Sequence, residues 1–503
     1  MPINNFREDE VMKEEINFRT IGRLFSYLKP HLPAVVQTLV LMAVAISVEL
    51  FNPWFLKLGI DKYIANGDGK GMLILGGIMI VLNFGTLYCA RFRMIKMSKV
   101  TNDILMTIRQ QLYTHIQKLS FSFFDSRPVG KILARIIGDV NALNDLFTNS
   151  VTSLIPEVVK IIAAVVIMLL MNWRLALAAL VTLPFMVTVM VFVSRASHKG
   201  WQIFRKKASN MNAFTHEDFS GIRVVQSFAA EKETSKTFWE LVTEWRKAFI
   251  SAVKFSDFFW PSVELSWGVG TLVVFSYGLV LLNTGTITVG LLVAFSGYIG
   301  MFWQPVMNIS NFYNQLVTNI TGAERIFEIL DINPEIANRN DSAELPPIQG
   351  NVSFKHVNFG YEATKPVLKD VSFQVRAGET IALVGPTGVG KTTVVNLISR
   401  FYEAQSGEVL IDGHDVTKVT LESLRSQMGI MMQDSFLFSG TIRDNIRYGR
   451  LNATDEEVEE AAKVVQAHEF IGKFEKGYDT DVNERGARLS GGQRQLLHTG
   501  EAV

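Results

Sequence analysis

The sequence predicts a multi-span α-helical membrane domain followed by a soluble α/β domain, and three observations carry that prediction. From about residue 33 to about residue 310, long apolar runs alternate with long polar segments. After about residue 348 the pattern changes to short strand-like and helix-like stretches. Within that second half, the glycine-rich GPTGVGKT lies between an apolar strand-like run and a helix-like run. The chain has 503 residues, 48% of them hydrophobic, which allows more than one domain and is high for a wholly soluble protein. Lys and Arg number 49 and Asp and Glu 48, so the net charge of +1 argues against nucleic acid as a partner. The single cysteine, Cys89, cannot form an internal disulfide.

Six apolar runs are each near the roughly 20 residues a helix needs to cross a bilayer. They fall at approximately 33–57, 71–91, 150–172, 175–195, 258–282 and 287–308. The first, third and fifth connections are short and carry few basic residues. The second and fourth are long and basic, with Arg91, Arg93, Lys96, Lys99 and Arg109 in one and Arg195, Lys199, Arg205, Lys206 and Lys207 in the other. Basic residues stay on the cytoplasmic side. Both termini and both long loops are therefore expected inside, with the protein in the plasma membrane.

Each long loop reads as a helical hairpin broken near its middle, at Asp125–Lys131 and at Phe219–Val224, where Pro or Gly interrupts the pattern. The expected organisation is a membrane domain over 1–330, a polar, Pro-bearing linker over 331–347, and an α/β domain over 348–503. In the last, NVSFKHVNFGY, VLKDVSFQV, ETIALVG and GEVLIDG read as strands and KTTVVNLISRF as a helix.

GPTGVGKT, with residues Gly385, Pro386, Thr387, Gly388, Val389, Gly390, Lys391 and Thr392, fits G-x-x-x-x-G-K-[ST]. Glycines let the backbone wrap so that N–H groups point at phosphate oxygens. Lys391 supplies positive charge to the β- and γ-phosphates, Thr392 a hydroxyl to Mg2+, and the following helix directs its positive end to the same place. Thr393 belongs to the same candidate set. ATP with Mg2+ is the expected cofactor.

About a hundred residues later comes LSGGQ, formed by Leu489, Ser490, Gly491, Gly492 and Gln493. Alone it is a flexible loop or an anion-binding helix start. A P-loop followed by LSGGQ behind six spans resembles an ATP-binding-cassette (ABC) exporter half-transporter of the bacterial multidrug or lipid type. The resemblance runs along nearly the whole chain. GAERIFEILD resembles the family's exit from the sixth span. MMQDSFLFSGTIRDNI resembles its glutamine loop, with Gln433 matching the residue that senses Mg2+. Tyr361 matches the aromatic that stacks on adenine. DVNERG resembles the loop before the signature, with Asn483 in place of the usual Gly. Phe124–Gly130 and Glu217–Phe228 resemble the coupling helices at the hairpin tips.

The resemblance implies that ATP lies between the P-loop of one subunit and LSGGQ of another. A second half-transporter, identical or different, is then the required partner, and closure on ATP switches access for a small amphipathic or lipid-like substrate. It also implies an apolar strand ending in Asp-Glu roughly twenty residues after LSGGQ, which supplies the catalytic acid. No such stretch precedes Val503, and neither Glu501 nor His498 stands in for it. The expectation is accordingly a C-terminally truncated, incomplete nucleotide domain with no catalytic residue of its own. ETIALVG would then be an unpaired edge, ATP binding weak and turnover absent. A non-hydrolysing helper that lends LSGGQ to a complete partner is the alternative.

Few charges fall inside the spans. Glu157 and Lys160 are three apart on one helical face, so mutual neutralisation is expected. Glu49 and Glu264 have no local partner, and Gln304 and Asn308 belong to a polar stripe ending the sixth span. These four, Glu49, Glu264, Gln304 and Asn308, are the candidates for lining a substrate pathway.

Overall fold

The computed structural model describes residues 18–149, 154–362, 364–431 and 435–501, and the chain divides into two units. One comprises Met1–Tyr113 and Leu133–Asp331; the other comprises Thr114–Ile132 and Ile332–Val503.

The first unit is helical. It opens with α1 (Phe18–Ser26) and α2 (Leu32–Leu58), which begins with Pro33 in its first turn, where a missing N–H costs nothing. A π-turn over Gly59–Ile64 leads to α3 (Gly69–Ile116), whose end enters the second unit. Two short helices follow, α4 (Phe121–Asp125) and α5 (Val129–Leu133), separated at Pro128. Next come α6 (Val140–Asn149), α7 (Ile155–Met171), α8 (Trp173–Leu180) and α9 (Thr182–Ser220). Gly221 separates α9 from α10 (Ile222–Ser227), and α11 (Glu231–Ser256), α12 (Phe259–Asn283) and α13 (Val289–Leu330) complete the set. Both interruptions fall inside the expected hairpin breaks.

Among the described residues, three helical stretches are long and apolar enough to cross a membrane: Lys29–Ile64, Gly69–Ile116 and Glu264–Asn283. The third expected span begins in residues 150–153, outside the described residues. The fourth, expected as one helix over 175–195, is divided between α8 and α9 at Val181. Pro184 has no N–H for the Leu180 carbonyl, which accounts for a break at that level.

The apolar faces of α7, α8, α12 and α13 meet around Met168, Leu175, Val274, Phe295 and Tyr298. A smaller cluster joins Met42, Ile46 and Leu50 of α2 to Ala164 of α7. Pro53 interrupts the α2 ladder because it cannot donate to the Glu49 carbonyl. At that level Gly297 of α13 comes so close that a Cβ there would lie 3.2 Å from Pro53, and the buried Tyr298 hydroxyl donates to the Leu50 carbonyl at 2.9 Å. Arg23 of α1 donates to both carboxylate oxygens of Asp331, the C-cap of α13, and lies over the Phe327 ring.

The second unit holds a four-stranded sheet, β1 (Val352–Phe359), β2 (Leu368–Val375), β3 (Ser406–Ile411) and β4 (His414–Asp415), in the order β2-β1-β3-β4. Every pair is antiparallel, with Val352 opposite both Val375 and Ile411. Phe354, Val357, Val409 and Ile411 pack with Val394 and Leu397 of α14 (Lys391–Ile398). The strand expected at ETIALVG does not form. Residues 379–385 have no ladder partner among the described residues, and Ile381, Leu383 and Val384 are exposed. A strand exists only through backbone pairing, so an apolar run without a neighbour stays irregular.

Residues 331–347 are not a free tether: Leu345 is buried in the sheet's core, and Ala343 bridges Val419 in parallel. The remaining helices are α15 (Leu421–Arg425), α16 (Ile442–Arg447), α17 (Asp455–Val464), α18 (His468–Ile471) and α19 (Gly491–Glu501). Leu489 and Leu497 join α19 to Ile442, Ile446 and Val458 in one cluster. His498 lies inside α19, where the neighbouring Gly500 packs against Val465 and Ile446.

Candidate nucleotide-binding site

The P-loop forms where the sequence puts it. Gly385, Gly388 and Gly390 have φ of 155°, 90° and 95°, conformations that side-chain-bearing residues rarely adopt. Gly390 is the N-cap of α14, and a Cβ there would lie 2.8 Å from Leu368. No Cβ neighbour lies within 4 Å at Gly388, so the loop is open on that side. Lys391 folds back over the loop, donating to the Gly385 carbonyl at 2.7 Å and the Pro386 carbonyl at 2.8 Å. Its ammonium is thus held at the centre of the wrap. These carbonyls are the weaker acceptors that a phosphate would replace.

Thr392 is exposed at the first turn of α14, a place from which its hydroxyl is free to meet a metal. Thr393 is buried, and its hydroxyl pairs with the Tyr361 hydroxyl at 3.1 Å. Only its main chain remains for a nucleotide. Tyr361 is held by that bond, by Asn396 donating at 3.2 Å, and by edge contacts to Phe359 and Tyr402 with centroids 5.0 Å away. Half of it stays exposed, which suits a stacking platform. Gln433 lies outside the described residues. The set fits a nucleoside triphosphate with Mg2+: donors and a fixed cation for phosphate, a hydroxyl for the metal and a braced ring for the base.

The signature forms a second, separately capped helix start. Ser490 accepts from the Gln493 N–H at 3.2 Å, while the Gln493 side chain accepts from the Ser490 N–H at 2.9 Å. This is the reciprocal cap that S-x-x-Q encodes. Arg494 donates to the Ser490 carbonyl. The donors left over at the start of α19 are the N–H groups of Gly491 and Gly492, both exposed and with no neighbour around their Cβ positions. Leu489 is buried and anchors the cap to the core.

Two supporting features gain their physical content only in the structure. Asn483 has φ 59° and ψ −175°, a backbone region essentially reserved for glycine. The Asp in the turn before it, Asp481, accepts from its N–H at 2.8 Å. The second is the contact of residues 114–132 with Glu335, Phe401 and Tyr402 of the same unit. Phe121 packs on Phe401 with centroids 4.5 Å apart, Tyr402 donates to Asp125, and Ser122 donates to Glu335 at 2.6 Å. Burial and the Asp125 carboxylate push the Tyr402 hydroxyl well above its ordinary value. The signal was the RFYE run directly after α14.

In the membrane half, the expected neutralisation of Glu157 by Lys160 is replaced by two cross-helix contacts. Lys160 of α7 pairs with Glu49 of α2 at 2.8 Å, so Glu49 does have a partner. Glu157 instead accepts from the Asn308 side chain of α13 at 2.8 Å, and its other oxygen is buried with no hydrogen bond among the described residues. Same-face spacing shows what one helix can do alone; a neighbouring helix supplied a better partner. Glu264 is exposed and makes no such contact among the described residues, and the Gln304 side chain lies outside them.

Residues 35–306 match the family described as ABC transporter transmembrane region, and residues 368–503 match that described as ABC transporter. A relative in Bacillus subtilis (strain 168), named uncharacterized ABC transporter ATP-binding protein YknV, is 38% identical over 99% of this chain and 83% of its own length. The ATP-dependent lipid A-core flippase of Syntrophus aciditrophicus (strain SB) is 33% identical over 96% of this chain and 80% of its own. Among solved structures, a bacterial Atm1-family ABC exporter with ATP bound superposes with a TM-score of 0.77 at 25% identity, covering 93% of this chain and 83% of that one.

Proposed function

The chain belongs to the ABC transporter family, and from that premise we propose that it is one half of an ATP-driven exporter for amphipathic or lipid-like compounds. In this reading six spans cross the plasma membrane, and both termini and both hairpins are cytoplasmic. Two such halves face each other. ATP and Mg2+ sit on Gly385–Thr392, Tyr361 and Gln433 of one, and Ser490, Gly491 and Gly492 of the other close on the γ-phosphate.

One observation carries the reading. The chain holds a cation-centred phosphate cradle and, separately, a capped helix start with two uncommitted N–H donors facing solvent. A helix start of that kind is a ready anion site. One membrane contact supports the substrate class: Glu157, with one carboxylate oxygen unpaired among the described residues, favours cationic or zwitterionic amphiphiles.

The test is cross-linking between chains. In a Cys89→Ser background, cysteines at Thr387 in one population and at Ser490 in another are mixed and reconstituted. ATP should promote a disulfide between different chains, and Lys391→Ala should abolish the ATP dependence. Cross-linking that never joins two chains, or that ignores ATP, defeats the reading.

A further inference from the structure

We infer that the membrane-proximal half of the hairpin formed by α9 and α11 is a binding collar for the headgroups of anionic phospholipids in the inner leaflet. The inference rests on the cytoplasmic placement of the hairpin proposed above.

The two helices run antiparallel and touch closely, since a Cβ on Gly200 would lie 2.9 Å from the Ala252 Cα. That contact fixes which residues share a level. The segments 195–207 and 245–256 lie together, and each adjoins an apolar stretch, TLPFMVTVMVFV before the first and the α12 span after the second. Between them the two segments carry eight Lys or Arg and no Asp or Glu; the next acid, Asp257, is the C-cap of α11. The remainder of the hairpin, 208–244, reverses this, with six acids against three cations. A surface charged only for solubility has no reason to segregate along the hairpin axis.

Lys207, at the far end of the collar, pairs with Glu244 at 2.6 Å. Arg195, Lys199, Arg205, Arg246, Lys247 and Lys254 are all exposed, and none has an acidic partner among the described residues. Six exposed cations without an acidic partner among the described residues thus collect where the chain approaches the bilayer.

Aromatic rings complete the collar. Phe204 packs on Trp201 at 5.3 Å, Trp245 at 5.6 Å and Phe249 at 5.4 Å between centroids, and Trp245 stacks on Phe249 with planes 9° apart. These rings pack α9 against α11 and hold the two basic segments side by side. At 1.5 Å per residue, Arg195 and Lys199 are separated by about 6 Å along the axis, roughly the depth of one headgroup layer. Arg205 and Arg246 lie about one Debye length further, close enough to add to the field. The inner leaflet is anionic and attracts such juxtamembrane clusters.

The purified chain is reconstituted in phosphatidylcholine with spin-labelled phosphatidylglycerol or spin-labelled phosphatidylcholine, and the immobilised fraction of each is measured. A several-fold preference for phosphatidylglycerol is expected, falling toward one as salt is raised. Arg195→Gln/Lys199→Gln/Lys254→Gln should lose the preference, and Arg223→Gln/Lys232→Gln/Lys236→Gln at the tip should keep it. Equal association of both lipids with the unaltered chain, or a preference that salt does not weaken, overturns the collar while leaving the membrane reading intact. So does a preference that the collar variant keeps. No immobilised lipid of either kind overturns both.

Discussion

The Lys160 ammonium lies 2.8 Å from the Glu49 carboxylate, so an ion pair ties α7 to α2 within the apolar half of the chain. Removing one member strands the other. A lone charge at the centre of a span costs about 2.5–3.5 kcal/mol on insertion scales, and less toward the edge. Lys160→Leu should therefore lower the melting temperature in detergent markedly, and Glu49→Gln added to it should restore most of the loss. A double variant no more stable than the single one would dissolve the pair. Glu157→Gln should show no such coupling to Lys160.

Asn483 sits where only glycine is comfortable. Asn483→Gly should stabilise the chain by about 1 kcal/mol, through relief of backbone strain that exceeds the entropy glycine adds to the unfolded state. Asn483→Val should destabilise it. Thermal or denaturant unfolding of the two variants checks the sign.

Asp444 and Thr441 form a reciprocal cap at the start of α16. The Thr441 hydroxyl and N–H, both donating to the carboxylate, hold Asp444 below the ordinary carboxyl value of 3.8. A depressed carboxyl stabilises the folded state above that value, and the contribution is lost as pH falls through the folded-state value. Asp444→Ala should cost about 1 kcal/mol at neutral pH. The gap between variant and parent should narrow below about pH 4.

Asp61, in the π-turn after α2, accepts from the Gly290 N–H at 2.9 Å and the Thr288 hydroxyl, satisfying the start of α13 from another element. A Cβ at Gly290 would fall 2.6 Å from the Asp61 carboxyl carbon and 2.7 Å from the Lys57 carbonyl. Gly290→Ala should thus destabilise more than Asp61→Ala, which loses only a cap worth about 1 kcal/mol. If the alanine at 290 melts like the parent, the close approach is not there.

Lys391→Ala removes the cation at the centre of the P-loop and should abolish binding of a fluorescent ATP analogue without unfolding the chain, since among the described residues Lys391 bonds to loop carbonyls. Gly390→Ala should lose both binding and stability, because its Cβ meets Leu368 in the sheet's core.

Local pattern made much of this legible. Strand-like stretches marked β1 and β2, G-x-x-x-x-G-K-T marked the cradle, and LSGGQ left open a flexible loop or the helix start that forms at Ser490. Partner choice across the fold stayed hidden. The i, i+3 spacing of Glu157 and Lys160 says nothing of Asn308 or Glu49 on other helices. Nor does composition reveal that Phe121 packs on Phe401, 280 positions away in sequence. ETIALVG has the strand's composition, yet pairing is a property of two segments, and one segment was all the pattern could report.

The contact at Pro53 has a mechanical consequence. A helix missing one rung of its ladder flexes there at less cost than elsewhere. In α2 that soft joint is buttressed by Gly297 and tethered through the Tyr298 hydroxyl to the Leu50 carbonyl. With Gly290 also close against the Lys57 carbonyl at the end of α2, the soft joint is braced on both sides, and a tilt of α13 is passed to α2 at the point where α2 bends most readily.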